Sequence, residues 1–366
     1  MRFPDLETPC LLLEQSRLER NLSRMAEHAR TCSVDLRPHW KTHKSPDLAR
    51  RQCELGAVGG TVAKGSEADV FLRAGFEDLV IATPVVDPRR IAHLLTSRGG
   101  ARLAVLVESE EGRARWSRAA ATCDRPVEVL LEVDVGMGRT GVAPGAAALP
   151  LARAISESPG LELRGVLTHA GHGYSASSAE ELETIGRAEG ELLVDTAREL
   201  RAAGLACPVV SVGSTPTVAL SSKVPGVTEV RPGNYVFLDG IQVDLGVATP
   251  DDCALTVLAT VLARPAPDRV VLDCGSKTLS SDAGRAGAAQ TGLGRFQDRP
   301  ELRIARLSEE HAIVPVPASA PYQVGDRVRV LPNHACATVN LHERLVIVDG
   351  SRVVQEWPIQ ARGCVT

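Results

Sequence analysis

The 366-residue chain has no apolar run approaching the ~18 residues that would span a membrane. Its opening Met-Arg-Phe-Pro-Asp lacks the apolar stretch of a secretory signal. It also lacks charge of one sign: 41 Lys+Arg against 45 Asp+Glu leave a net charge of −4, which argues against a broad nucleic-acid or anionic-lipid footprint. None of the nine cysteines falls in a Cys-x-x-Cys pair, which excludes a zinc ribbon and a thioredoxin-type motif. The Gly-x4-Gly-Lys spacing of a nucleoside triphosphate loop is absent, as are internal repeats and low-complexity tracts. What remains is a cytoplasmic globular protein with reduced, mostly buried cysteines, long enough for about two domains.

The pattern along the chain separates two regions. Short apolar runs at 34–37, 58–62, 79–82, 103–107, 127–133, 162–167, 208–212 and 227–230 alternate with helical patterns. Ser45-Pro46 and Asp87-Pro88 each read as an N-cap followed by proline at the first helical position. Eight such strands predict an N-terminal (β/α)8 TIM barrel, with an open doubly wound sheet as the alternative that shares the count. Beyond about residue 245, Val- and Leu-rich segments at 254–262, 269–272, 326–331 and 345–348 are punctuated by Gly, Pro, Asp and Asn. The fold class is therefore α/β: a barrel over 11–243, and a mostly β domain formed by 244–366 with 1–10.

In such a barrel the functional groups lie on loops after the strands, and a phosphate is often held after the seventh and eighth. The first strand is followed by RPHWKTHK (37–44), the fifth by DVGMGRTG (134–141) and the sixth by THAGHGY (168–174). The seventh is followed by GSTPT (213–217) and the eighth by RPGNY (231–235). Alone, Gly-Ser-Thr-Pro-Thr reads as a helix cap. Its place after the seventh strand, with Gly233-Asn234 after the eighth, makes it a phosphate cradle. Lys41 is crowded in sequence by Arg37, His39, His43 and Lys44, and neighbouring positive charge favours a neutral, nucleophilic amine. An amine beside a phosphate cradle suggests a Schiff base to pyridoxal 5′-phosphate (PLP); a basic patch for an anionic substrate is the plain alternative.

These motifs, together with Gly171-His172-Gly173-Tyr174, DCGSKTLSSD (273–282) and PNHACATVNL (332–341), resemble the D-threonine aldolase / D-serine dehydratase family. Its members are PLP enzymes of the alanine-racemase-like fold, and the likeness runs over nearly the whole chain. The resemblance implies that Lys41 is the catalytic lysine that carries PLP. It implies that Arg139 lies by the cofactor ring, near the phenolic oxygen. His172, Tyr174, Ser214, Thr215, Gly233 and Asn234 would hold the ring and the phosphate, though His169 and His172 also read as residues that satisfy loop hydrogen bonds. A homodimer with active sites near the subunit interface is implied as well.

His334 and Cys336 set an imidazole and a thiol two residues apart in a β-rich region, where strand spacing would turn both to one face. Two protein ligands leave room for substrate or water on a metal. Spacing alone is a weak signal, but the resemblance puts the family's catalytic metal here. The second ligand is typically Asp in its aldolases and Cys in its dehydratases. Cys336, with imidazole, suits Zn2+ better than Mn2+ or another divalent ion. The expectation is a dehydratase that converts a D-3-hydroxy amino acid to a 2-oxo acid and ammonia. An aldolase giving glycine and an aldehyde is the runner-up, ahead of a racemase or a non-catalytic PLP-binding regulator. Lys277 and Asp282 read either as contacts to a substrate carboxylate or as an internal ion pair, His342 and Glu343 as groups orienting the ligands or as a turn, and Trp40 as packing.

Overall fold

The computed structural model describes residues 5–284 and 292–366. It divides into two compact units. One comprises Met25–Lys41, Leu48–Gly233 and Cys364–Thr366; the other comprises the chain up to Arg24, Thr42–Asp47 and Asn234–Gly363.

After β1 (Cys10–Glu14) and α1 (Gln15–Cys32), the chain alternates strand and helix. These are β2 (Asp35–Leu36), α2 (Pro46–Glu54), β3 (Gly60–Val62), α3 (Gly65–Arg73), β4 (Asp78–Ile81), α4 (Pro88–Ser97), β5 (Arg102–Val107) and α5 (Glu110–Ala120). They continue with β6 (Val127–Glu132), α6 (Leu149–Ser156), β7 (Leu161–Leu167), α7 (Ala179–Ala202), β8 (Val209–Val212), α8 (Val218–Ser221), β9 (Glu229–Val230) and α9 (Gly240–Asp244). The expected proline starts are present at Pro46 and Pro88, and the Asp87 side chain accepts from the Arg89 N–H to cap α4.

Strands β2 to β9 form one parallel sheet in the order β2-β9-β8-β7-β6-β5-β4-β3, the eight predicted from the apolar runs. The two ends of that order meet. Val58 N–H donates to the Leu36 carbonyl (2.9 Å) and Thr61 N–H to the Pro38 carbonyl (2.8 Å), with a parallel bridge between His39 and Thr61. On the opposite side, Asp35, Arg37 and His39 N–H groups donate to Thr228, Val230 and Pro232. The chain is therefore laddered on both sides as far as His39, and the sheet closes into a barrel. β5 (RLAVLV) and β6 (VEVLLE) are buried along nearly their whole length, as parallel strands covered on both faces must be. Register between β6 and β7 shifts at Gly165, whose φ is +151° and where a Cβ would lie 2.0 Å from the Val209 carbonyl oxygen. Only glycine fits that bulge.

Ion pairs link the starts of neighbouring strands. Buried Arg37 pairs with Asp78 and Glu229, both at 2.6 Å, Arg102 with Asp78 and Glu128, and Arg164 with Glu128. Because members share partners and are partly buried, such a network holds the barrel floor better than isolated surface pairs. Trp40 is fully buried against Phe71 and Phe76, with ring centroids 4.7 and 4.6 Å away, so the packing reading of this side chain holds.

The other unit is mostly strand: β10 (Leu255–Ala266), β11 (Arg269–Leu272), β12 (Arg295–Phe296), β13 (Arg306–Leu307), β14 (Ala312–Pro315), β15 (Arg327–Leu331), β16 (Arg344–Asp349) and β17 (Arg352–Pro358). The short helices α10 (Ser276–Leu279) and α11 (Ala335–Asn340) interrupt them. The sheet order is β13-β14-β11-β10-β1-β16-β17, with β15 on β10 and β12 on β15. β1 runs antiparallel to β10 and parallel to β16, which buries Leu12 with Leu258, Val346 and Val348. Among the described residues no helix is long and apolar enough to cross a membrane.

Candidate active site

Lys41 is half-buried in a 3-10 turn (Trp40–Thr42), two residues beyond the last laddered residue of the first barrel strand. Its electrostatic neighbours are only partly those adjacent in sequence. Arg37 turns to Asp78 and Glu229, and Lys44 donates to the Asn340 side chain at 2.8 Å. His39 stays with it, and His169 joins from another strand end: the Lys41 charge acts on both rings. Burial holds the His39 imidazole well below its ordinary range, and the charges of Lys41 and Arg231 add to this. Burial, then Lys41, pushes His169 down to about 3, so it stays neutral near pH 7. Its Nδ1 lies 2.7 Å from the Gly213 carbonyl oxygen. A carbonyl only accepts, so the neutral ring carries its proton on Nδ1.

Arg231, at the end of β9, is buried and pushed down to about 10 by that burial, against the opposing pull of Glu229, Glu189 and Glu132. It donates to the Ser211 hydroxyl at 2.5 Å and to the Val212 and Thr168 carbonyls. The charges of Arg231 and Lys41 both act on the His39 and His169 rings, which gathers these four residues at the same end of the barrel. The loops on either side of Arg231 abut: a Cβ on Gly213 would lie 2.9 Å from the Arg231 backbone nitrogen. Ser214 and Thr215 follow Gly213, and Gly233 follows Arg231, so the residues proposed for the phosphate occupy adjoining loops. Ser214 and Thr217 hydroxyls bond each other at 2.8 Å. Small residues, hydroxyls and a lysine amine on one end of the barrel fit PLP.

The remaining predicted cofactor residues are placed as follows. His172 and Tyr174 lie in the 3-10 turn Gly171–Ser175 after β7, and the buried His172 Nδ1 has no hydrogen-bond partner within the protein among the described residues. Arg139 is exposed on the loop after β6, whose turn is held by Asp134 accepting from the Gly136, Met137 and Gly138 N–H groups. Asn234 is buried, with Nδ2 donating to Asp239 Oδ2 at 2.5 Å.

Glu189 escaped sequence reasoning. It is fully buried on α7; Oε1 accepts from Ala170 and Gly213 N–H (both 3.1 Å), and Oε2 from the Thr217 hydroxyl (2.6 Å). One carboxylate thereby ties the loop after β7 to the loop after β8. The available signal is its place on the apolar stripe of Leu182, Gly186, Leu193 and Leu200, where a charge must find partners. Glu189→Gln keeps the shape but weakens the buried bonds to the cradle. It is expected to raise the dissociation constant for PLP about tenfold, the equivalent of one lost net hydrogen bond of ~1.4 kcal/mol. Titration of apoprotein with PLP measures it, and an unchanged constant would mean Glu189 merely fills the helix interface.

The strand spacing expected for His334 and Cys336 is not what brings them together. β15 ends at Leu331, and α11 begins at Ala335 with His334 at its N-cap position. A six-residue helix within a β-rich stretch carries too little periodicity to read. The two side chains still converge, because a cap residue faces its own first turn: the Cys336 thiol and His334 ring are hydrogen-bonded to each other. Cys336 Sγ also donates to the Thr42 hydroxyl at 3.2 Å. Burial lowers the His334 pKa, but Cys336, Asp239 and Asp282 outweigh it and push it up to about 9. An imidazole facing a thiol, in a negative environment, fits a divalent cation, and a soft sulfur with a nitrogen fits zinc. Among the described residues no group of three or more His, Cys, Asp or Glu side chains could hold a metal ion.

Of the weaker candidates, Lys277 is exposed and ion-paired with Glu309 (2.7 Å) and Glu310 (2.8 Å), and His342 Nε2 bonds the Thr278 carbonyl at 3.0 Å. Asp282 accepts from the Ser280 hydroxyl at 3.0 Å, and Glu343 pairs with Arg362 at 3.8 Å.

The family model for the alanine racemase N-terminal domain matches residues 13–240, and a second model, named for serine dehydratase, matches 254–348. The D-threo-3-hydroxyaspartate dehydratase of Delftia sp. (strain HT23) is 38% identical over 96% of this chain and 97% of its own length. The crystal structure of D-threonine aldolase from Filomicrobium marinum superposes with a TM-score of 0.93 at 32% identity, covering 100% of this chain and 98% of that one. A cysteine-to-alanine variant of a D-threo-3-hydroxyaspartate dehydratase, solved in its metal-free form, gives a TM-score of 0.91 at 36% identity and 98% coverage of both chains. The protein belongs to the D-threonine aldolase / D-serine dehydratase family, PLP-dependent lyases built on the alanine-racemase-like fold.

Proposed function

We propose that the protein is a PLP- and zinc-dependent dehydratase that removes the β-hydroxyl of a D-3-hydroxy amino acid, yielding a 2-oxo acid and ammonia. The observation that carries this reading is Cys336, a thiol rather than a carboxylate beside His334. Bound PLP supplies an electron sink for charge developing at Cα, and zinc a Lewis acid for the β-oxygen. Lys41 Nζ takes the Cα proton. The charges of Lys41 and Arg231 both act on His39 and His169, which stay neutral and add none. Ser214, Thr215, Gly233 and Asn234 bind the phosphate, and Arg139, His172 and Tyr174 flank the ring. His334 and Cys336 hold the metal. Thr42, which receives the Cys336 thiol bond, is the residue that follows Lys41 in the chain. The reaction balances without an oxidant: water lost on elimination is regained on hydrolysis, so D-serine gives pyruvate and ammonium.

In this reading the barrel (11–243) serves PLP, the segments 1–10 and 244–366 supply the metal ligands, and the enzyme works as a cytoplasmic homodimer on a small D-amino acid. The test supplies D-serine, D-threonine and D-threo-3-hydroxyaspartate separately and measures 2-oxo acid and glycine in parallel, with and without EDTA. A 2-oxo acid signal that EDTA abolishes is expected. Glycine with an aldehyde would instead assign the aldolase reaction and show that a thiolate ligand does not choose between them.

A further inference from the structure

We infer that Asp239 is a positioning residue for the metal-ligand turn, an inference that rests on the zinc reading of His334 and Cys336. Asp239 is fully buried at the N-cap of α9 and accepts three hydrogen bonds. Oδ1 takes the Gln242 N–H at 3.1 Å; Oδ2 takes Asn234 Nδ2 at 2.5 Å and the Ala335 N–H at 2.8 Å. Ala335 is the residue between the two metal ligands, so this carboxylate grips the ligand turn by its backbone.

The grip does not stand alone. Gly240 N–H donates to the Pro332 carbonyl at 3.0 Å and Ile241 N–H to the Asn333 carbonyl at 3.1 Å. The first turn of α9 thus holds residues 332, 333 and 335 in succession, leaving the side chains of 334 and 336 to converge. Two ligands of different length and softness bind one ion well only if their backbone is fixed, because otherwise the ion must order the turn as it binds. A buried aspartate also places negative charge near a cation without joining its coordination sphere.

The network makes a selective variant available. Asp239→Asn keeps the volume and one acceptor oxygen for the Gln242 cap. Asn234 Oδ1 has no partner among the described residues, so its amide can turn over and accept from the new amide, preserving that pair. Only the Ala335 N–H loses its acceptor. Ala335→Pro removes the same bond from the other side, at the first helical position, where proline is tolerated; the extended backbone of His334 (φ −130°, ψ 104°) suits a residue before proline.

The experiment measures zinc affinity of the PLP-loaded protein by competition with a chromophoric chelator, alongside the cofactor absorbance band and the thermal transition. Both variants are expected to raise the zinc dissociation constant roughly 10- to 100-fold, with the band and the transition unchanged. Wild-type zinc affinity in both would overturn the inference. Loss of band and thermal transition together with zinc would also overturn it, in favour of a general structural role. His334→Ala is the reference: if it binds zinc as tightly as wild type, the zinc reading falls and the positioning role with it, a result separable from the first two.

Discussion

Lys41→Ala is expected to lower turnover by roughly 10^4-fold or more, because in the proposed mechanism one side chain serves as cofactor anchor and as base. The same variant should lose the absorbance band at about 420 nm that a lysine-bound PLP gives. The effect is this large because nothing can substitute. The chain has only five lysines. Lys44 is bonded to Asn340, and Lys277 is exposed between Glu309 and Glu310. Lys64 precedes α3 on the fourth residue after β3's start, and Lys223 follows α8. His39 and His169, which feel the Lys41 charge, and Arg231, which acts on the same two rings, cannot form a stable imine with an aldehyde. Spectra and steady-state rates on variant protein with native circular dichroism settle the matter. A band that persists would move the anchor to another amine and dissolve the barrel-end site built around residue 41.

The second large effect concerns the metal pair. Cys336→Ala and His334→Ala each leave one of the two proposed protein ligands, and loss of Lewis-acid assistance worth several kcal/mol should reduce 2-oxo acid formation on the order of 10^3-fold. Zinc content, measured after gel filtration, should fall in parallel while the PLP band remains. Cys336→Asp separates ligand chemistry from ligand presence. An oxygen donor in place of sulfur should keep metal dependence but shift its preference from zinc toward manganese. If Cys336→Ala retains both zinc and rate, the thiol is an ordinary half-buried cysteine and the argument for the dehydratase reaction loses its main support.

How much of this was legible in the sequence depends on the range of the interaction concerned. The eight barrel strands could be read from short, mostly apolar runs recurring between helical patterns; β5, covered on both faces, is the clearest, whereas β2 and β9 carry Asp35 and Glu229 and are the least so. The proline starts of α2 and α4 were legible for the same local reason. The turn at 334–336 was misread as strand, since a helix of six residues between strands lacks the two full turns that would reveal its period. Crowding around Lys41 is read from neighbours in sequence; of these His39 does feel the Lys41 charge, but His169, which feels it too, arrives from the end of β7. Glu189 and Asp239 act only through contacts with residues distant in sequence, and nothing local marks them out beyond a charge on an apolar face or at a cap. Motif order supplied what spacing could not: it made Lys41 and the pair His334 and Cys336 the candidates for the proposed roles.

The double-sided ladder of residues 35–39 bears on the behaviour of the lysine itself. Because the backbone is hydrogen-bonded alternately to β9 and to the segment entering β3 up to His39, the main chain beneath Lys41 has little freedom left to lose. The amine can explore only the torsions of its own four-carbon stem, so the search for the productive geometry is one of side-chain rotamers rather than loop excursions. A lysine moved to a loop tip would keep the same chemistry but meet it far less often.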